Sequence, residues 1–276
     1  MIRLENPHPG ITLQDNGRTQ GRELGHSKGG ALDEISFTNA NILLNNPRNS
    51  PAIEIILGGF QFEFTYDTTI SLTGADLNFT LNNQPISPNT IYKITSGNLL
   101  KSSGPRNGLI SYLGILGGFK GPKYFNSVSI PQRERSLFHD YNSQNFKYVQ
   151  NSASILANEI LPLELNPNQL EYFPSYQNSY FKYSELNFTK ENRFDRMGIF
   201  LEGEGVKYCG QAIRSEGIAI GSLQVINERK IIALLNDCQT IGGYPKLGVL
   251  THKSKCQLAQ LKPGLSFCLK HKNTKI

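Results

Sequence analysis

Three observations predict a mainly β fold arranged as two barrel-like domains with a few short helices. The apolar runs are short and end in Gly, Pro, Asn or Asp; several alternate with a period of two; and two stretches alone carry a helical period. With 26 Gly and 14 Pro in 276 residues, turn-formers are frequent enough to separate many strands.

In chain order, Ala52–Phe64 (AIEIILGGFQFEF) reads as an apolar strand, a Gly-Gly break and an alternating strand with Phe60, Phe62 and Phe64 on one face. Thr69–Leu77, Asn78–Leu81 and Thr90–Ile94 continue the pattern, joined through Asn82–Pro85. Asn107-Gly108 is the strongest short hairpin signal, because both central residues of a type I′ turn need positive φ; it is expected to link Asn98–Lys101 to Leu109–Leu116. Further strands are expected at Ile160–Leu165, Leu170–Phe173, Ile199–Leu201, Leu223–Ile226, Ile231–Leu235, Leu247–Thr251 and Leu265–Leu269. Leu32–Asn45 has the apolar face of a helix and stops before Pro47. Ser254 with Gln257 resembles a capping box opening a short helix that ends by Pro263-Gly264. Residues Gly118–Ser152 are polar and weakly periodic, a long excursion. The expected domains are residues 1–165 and 166–276, with the chain able to cross between them.

Composition narrows the function classes. A charged fraction of 18% and a hydrophobic fraction of 38% exclude an extended disordered chain. The net charge of +6 comes from scattered Lys and Arg, so no nucleic-acid arm is expected, and the basic run Lys262–Lys275 reads as a solvated tail. No signal-peptide core or membrane-length run is visible, so the expected location is cytoplasmic, with no membrane partner. Cys209, Cys238, Cys256 and Cys268 include no C-x-x-C pair, which argues for reduced thiols rather than a metal site. His8, His26, His139, His252 and His271 are dispersed, with no H-x-x-x-H pair; no Walker A pattern exists.

The densest chemistry lies in Leu234–Lys246, LLNDCQTIGGYPK. A buried-strand run breaks into Asp237, Gln239, Thr240, Gly242, Gly243, Tyr244, Pro245 and Lys246. The two glycines permit unusual backbone angles and a close ligand approach, Pro245 stiffens the exit, and the side chains supply donors and acceptors of every kind. A polar hairpin or loop with a Gly-Gly turn fits the same pattern, and spacing does not choose between the two.

Related clusters occur at Leu13–Asp33 (LQDNGRTQGRELGHSKGGALD), Leu72–Asp76 (LTGAD), Gly104–Gly118, Phe194–Gly198 (FDRMG) and Ser215–Gly217. In order and spacing, from about Ile2 to about Leu269, they resemble the allophanate hydrolase subunit 2 or biotin-dependent carboxyltransferase-like family. That family includes the C subunit of bacterial 5-oxoprolinase, the antagonist of the sporulation-kinase inhibitor, and half of the urea carboxylase carboxyltransferase domain. The resemblance implies cyclophilin-like β-barrels, with no licence to infer prolyl isomerisation from the fold name. It also implies a place in an ATP-dependent 5-oxoprolinase complex that opens 5-oxoproline to glutamate. Its implied partners are a kinase-inhibitor-like B subunit and an A subunit. Several positions depart from the family pattern: Ser175-Tyr176-Gln177 stands for Gly-Pro-Gln, Gly29 for a serine, Val128 for an arginine, Ile226–Arg229 for a Pro-Pro-x-Gly turn, and Cys238 for the arginine before Gln-Thr.

Residue by residue, Asp195, Arg196, Lys246 and Glu216 are the expected catalytic set. Arg196 and Lys246 would neutralise an anion, Asp195 would accept from an amide, and Glu216 would act as a general base. Asp237, Gln239, Thr240, Gly242, Gly243, Tyr244, Asp33 and Arg106 are the expected substrate-binding set. Each has a plainer reading: Asp195-Arg196 as a surface turn pair, Lys246 as a solvated strand start, Glu216 as a turn carboxylate, and Asp33 as a helix-terminal acid. Asp15 and Arg18 are expected to staple their own loop. Two other functions compete with the lactam-opening reading. One is a carboxyltransferase half acting on urea or a related amide, with biotin arriving in trans because no Met-Lys-Met carrier site exists. The other is a non-catalytic partner of a kinase-inhibitor-like protein.

Overall fold

A computed structural model of the chain describes residues 1–5, 9–131, 134, 145–148, 158–165, 167–203 and 205–272. His8 and His139, and most of the polar excursion after residue 131, lie outside the described residues. The chain divides into two compact units. One comprises Met1–Arg18 and Gly29–Leu165; the other comprises Thr19–Lys28 and Asn166–Ile276.

The first unit is made of two sheets, ordered in space Phe119–Lys120, Asn145–Tyr148, Ile2–Leu4, Phe60–Phe64, Leu99–Ser102, Phe79–Leu81, Gln84–Pro85, and Ile11–Gln14, Ala52–Ile56, Asn107–Ile115, Thr68–Asp76, Thr90–Ile94. They share one apolar core in which Phe60, Phe62 and Phe64 alternate inward as the sequence pattern requires. Gly58 and Gly59, both at positive φ, make the break between the first two predicted strands. Asn82 and Asn83 also take positive φ, so the tight hairpin forms there, between Phe79–Leu81 and Gln84–Pro85.

Asn107-Gly108 does not form the expected hairpin. Leu99–Ser102 and Asn107–Ile115 belong to different sheets, and Asn107 is not at positive φ. Gly108, at φ 78°, opens instead a register shift against Thr68–Asp76, where Asn107 pairs with Asp76 and Ser111 with Gly74. The dipeptide marks a bulge, which uses the same glycine freedom. Nor do residues 160–165 form a strand; Pro162 cannot donate to a ladder.

The predicted first helix is Glu34–Leu43. Asp33 caps it: Ser36 N–H donates to Asp33 Oδ1 at 3.0 Å and Ser36 Oγ to Oδ2 at 2.6 Å. The helix lies on Thr68–Asp76 and Asn107–Ile115, held by Ser71 Oγ on Ala40 O (2.8 Å) and Thr73 Oγ1 on Ser36 O (2.7 Å). Asp15 does more than staple its own loop. It accepts from Gly17 N (2.8 Å), Ser127 Oγ (2.6 Å) and Val128 N (2.9 Å), while Arg18 Nη1 donates to Glu134 Oε2 at 2.6 Å. Gly29 fits this clamp because a Cβ there would stand 2.6 Å from Ser129 Oγ.

The second unit is a closed barrel, ordered Gln169–Pro174, Lys246–Leu250, Ser222–Asn227, Lys230–Leu234, Gly198–Gly203, Asn187–Phe194, Ser266–His271. Closure comes from one parallel pairing, Gln169–Pro174 with Ser266–His271; the remaining pairs are antiparallel. The sequence pattern does not predict the strand Asn187–Phe194, since NFTKENRF is mostly polar; its inward positions are Phe188 and Lys190.

The second helix is His252–Gln260. Its cap is Thr251, whose Oγ1 accepts from Ser254 N at 3.2 Å, and not Ser254. Ser254 Oγ instead accepts from Glu171 N at 2.8 Å, fastening the helix to the barrel. Every residue from Ser254 to Gln260 is buried, and the last-turn carbonyls meet a buried lysine: Lys190 Nζ donates to Leu258 O (3.2 Å), Ala259 O (3.4 Å) and Leu261 O (2.6 Å).

Candidate functional site

Most of the residues singled out by sequence belong to the barrel unit, where they form two pairs, Arg196 with Asp237 and Lys246 with Glu216. Asp195 and Arg196 form the turn between Asn187–Phe194 and Gly198–Gly203, and their side chains part company there. Asp195 Oδ1 accepts from Met197 N (2.7 Å) and Gly198 N (3.1 Å), closing the turn on itself. Arg196 lays its guanidinium on Asp237, with Nε 3.0 Å from Oδ2 and Nη2 3.1 Å from Oδ1. The Arg196 and Asp237 side chains are 12% and 4% exposed, so this forked pair is held largely out of water. Backbone bonds run beside it, Asp237 N to Arg196 O (2.9 Å) and Leu235 N to Met197 O (2.9 Å). Ser27 Oγ stands 2.9 Å from Asp237 O and 3.0 Å from Cys238 O. Cys238 itself packs against Ile218 and Leu234, so a thiol fills apolar space where the resemblance implies an arginine.

Lys246 and Glu216 make a second, more accessible pair. Glu216–Gly217 is a short strand antiparallel to Ile241–Gly242, which brings the Glu216 carboxylate to 2.7 Å from Lys246 Nζ. Two residues not chosen from the sequence complete the cluster. Gln177 Nε2 donates to Glu216 Oε1 (2.9 Å) and to Tyr176 Oη (2.8 Å), and its Oε1 accepts from Lys246 N (2.6 Å). Tyr176 Oη donates to Glu216 Oε2 at 3.0 Å. Gln177 is 2% exposed and Tyr176 72%, so a buried amide fixes the pair while a phenol meets solvent beside it. Ser175 Oγ also donates to Lys246 O.

The Lys246 ammonium, with smaller help from Tyr176 and Gln177, holds the Glu216 carboxyl below its usual range against a smaller upward push from burial. A carboxylate accepting from three donors stays ionised and is a weak base. Its chemistry here is to aim Lys246, whose ammonium keeps a donor beyond the one it gives Glu216 for a carbonyl oxygen, while the Tyr176 proton stays on the carboxylate.

The rest of the glycine-rich loop is more ordinary than its sequence implies. Gly242 and Gly243 are not among the glycines at positive φ. Gly242 is a strand residue without positive φ, and a Cβ there would stand 2.6 Å from Ile218 Cδ1, a side-chain end that would have to move. Thr240 O accepts from Ile218 N at 2.9 Å, Gln239 is half-buried, and Tyr244 is exposed. Asp33 and Arg106 belong to the first unit. Asp33 is the buried helix cap described above, with its N–H donating to Tyr112 Oη (2.9 Å); Arg106 is exposed, 3.8 Å from Asp76. Tyr112, fully enclosed and donating to Glu54 Oε2 at 2.7 Å, has its phenol pushed well above the ordinary value by burial and then by Glu54 and Asp33.

Among the described residues no group of three or more His, Cys, Asp and Glu is placed to hold a metal ion. No helix of the described residues is long and apolar enough to cross a membrane.

The family model described as carboxyltransferase domain, subdomain A and B, matches residues 24–271. The 5-oxoprolinase C subunit of Haemophilus influenzae is 32% identical over 275 residues, covering 96% of this chain and 89% of that protein. The protein of the same name from Escherichia coli is 29% identical over 278 residues, again covering 96% and 89%. The crystal structure of the K. lactis urea amidolyase superposes with a TM-score of 0.84 at 21% identity, over 97% of this chain and 18% of that one. That last likeness is one of fold, and the chain spans under a fifth of that enzyme.

Proposed function

The chain belongs to the carboxyltransferase domain family, subdomains A and B, and from that premise we propose that it is the C subunit of an ATP-dependent 5-oxoprolinase complex. Its reaction would be the opening of the 5-oxoproline lactam to glutamate, together with a kinase-inhibitor-like B subunit and an A subunit. The observation that carries this reading is the nearly end-to-end likeness to two proteins named as the C subunit of 5-oxoprolinase, each covered over 89% of its length.

The chemical problem is the amide. Resonance makes a lactam carbonyl a poor electrophile, and transfer of a phosphoryl group from ATP to its oxygen would turn that oxygen into part of a leaving group. Arg196 and Lys246, the two cations expected to meet an anion, do not fit the triphosphate itself. Arg196 is forked onto Asp237 and Lys246 sits on Glu216, so neither of these cations offers a phosphate chain an uncompensated charge. We therefore assign ATP consumption to the assembled complex and route no step through the nucleotide on this chain. What the chain supplies is orientation: Lys246, aimed by Glu216 and Gln177, points an ammonium donor at the lactam oxygen, where negative charge grows as the ring opens.

Reconstitution with the two partner proteins tests the reading. ATP hydrolysis that depends on 5-oxoproline, and on the presence of this chain, is expected; a correctly assembled set with no such dependence would refute it. The urea reading draws on the fold shared with the urea amidolyase. Carboxybiotin-dependent carboxylation of urea by the chain would move the assignment there. An intact complex with no turnover on any lactam or on urea would leave the non-catalytic reading.

A further inference from the structure

One arginine in the barrel unit differs from the cations considered so far. Arg22 sits in the segment Thr19–Lys28, which belongs to this unit although it precedes the rest of the unit by more than a hundred residues. Its Nη2 donates to Ile218 O at 2.7 Å, whereas Nη1 is buried with no hydrogen-bond partner. Arg18, Arg196 and Lys246 each carry a carboxylate; Arg22 forms no ion pair among the described residues. A guanidinium donor shut away from water without an acceptor is costly, and an incoming anion relieves that cost.

The surroundings say what kind of anion. Arg22 lines an open groove of about 690 Å³ with Glu23, Gly25, Gly217, Ile218, Ala219, Thr240 and Ile241. Ile218, Ala219 and Ile241 give it apolar wall, Thr240 a hydroxyl, and Glu23 a carboxylate that now accepts from Gly21 N at 3.2 Å. The groove adjoins the Lys246 cluster through the backbone: Arg22 reaches the carbonyl of Ile218 and Lys246 Nζ stands 3.4 Å from that of Gly217, the residue before.

We propose that this groove is a binding subsite for a small cyclic acid, with Arg22 taking the carboxylate of a lactam such as 5-oxoproline and Glu23 or Thr240 meeting its ring amide. Apolar ring carbons lie on Ile218, Ala219 and Ile241. To reach the anion the guanidinium turns about its terminal torsions, keeping Nη2 on Ile218 O and bringing Nη1 to the ligand. This deepens the 5-oxoprolinase reading and rests on it, and it separates that reading from urea, which has no carboxylate for Arg22 to hold.

The test compares 5-oxoproline with 2-pyrrolidinone, the same lactam without the carboxylate, in the reconstituted complex carrying wild-type chain, Arg22→Lys or Arg22→Leu. The wild-type preference in kcat/KM for 5-oxoproline over 2-pyrrolidinone is expected to collapse by about ten- to a hundredfold in Arg22→Leu, through KM, and by less in Arg22→Lys, which keeps the charge and loses the fork. Equal losses on both lactams, the mark of a structural role, or no loss on either, overturns the subsite. Arginine side-chain NMR of the same complex gives a second readout that needs no turnover. Should no lactam be turned over while 5-oxoproline still shifts the Arg22 Nε signal at concentrations where 2-pyrrolidinone does not, the enzymatic reading falls and the subsite stands. No shift with 5-oxoproline, or an equal shift with inorganic phosphate at the same concentration, overturns it.

Discussion

Arg196 and Lys246 carry the same charge in neighbouring motifs, yet the structure gives them different work. Arg196 satisfies a carboxylate that is almost entirely out of water. Removing one partner of such a pair leaves the other charge buried and unpaired, so Arg196→Ala is expected to lower unfolding stability by about 3 kcal/mol or more, seen as a fall in the denaturation midpoint. An unchanged midpoint would mean that water reaches Asp237. Lys246 has a partly exposed carboxylate partner, so its loss falls on function. Lys246→Ala is expected to slow the reconstituted complex by about tenfold to a thousandfold with the fold intact. Its pH signature has a definite sign. Glu216 titrates below its ordinary value of 4.5 in the folded chain, so the stability its pairing adds is fully present above that value and is lost as pH falls through the folded one. The wild-type advantage in melting temperature over Lys246→Ala should therefore shrink in acid, and the Glu216 carboxyl, followed by carbon NMR, should titrate higher in the variant. Sequence alone marks Glu216 and Lys246, because each stands in a glycine-polar cluster. It sets Arg22 in another such cluster and Tyr176 and Gln177 at a departure from the family pattern, but gives none of them a role, because their partners lie far away in sequence.

At the level of elements, legibility follows apolar patterning. Phe60–Phe64 and Lys230–Leu234 can be read because their inward residues are apolar; Asn187–Phe194 cannot, because one of its inward residues is a lysine. That lysine is explained by the helix it faces. Lys190 serves three carbonyls at the end of His252–Gln260 and lies 4.5 Å from the centre of the Phe194 ring. Burial pulls its ammonium from the ordinary 10.5 down to about 7. Between those values the unfolded chain binds more protons than the folded one, so stability should rise with pH across that window and level off above it. In Lys190→Met that rise should flatten in denaturant titrations from pH 7 to pH 10, while the helix end loses its donors and overall stability drops. A slope that survives the substitution would place the titrating group elsewhere. The Asn107-Gly108 and Gly242-Gly243 misreadings have a common cause: glycine signals that something is special, and without neighbours in view a bulge or a tight contact cannot be told from a turn.

For the whole molecule, the mainly β class and the barrel are visible in strand spacing, whereas the exchange of Thr19–Lys28 is not, since nothing local in that segment says which core it joins. The exchange bears on how the chain is made. A ribosome releases residues 19–28 well before the barrel they pack with, which closes only after Ser266–His271, the last of its seven strands, has emerged. At about 5–20 residues per second, the early segment waits on the order of ten to fifty seconds for its partners. During that interval the strands of the first unit can already be pairing, with a loop held open between Arg18 and Gly29. The order of synthesis is thus opposed to the order of assembly, and the groove that contains Arg22 comes into being only after Gly217 to Ile241 have been made, long after Arg22 itself.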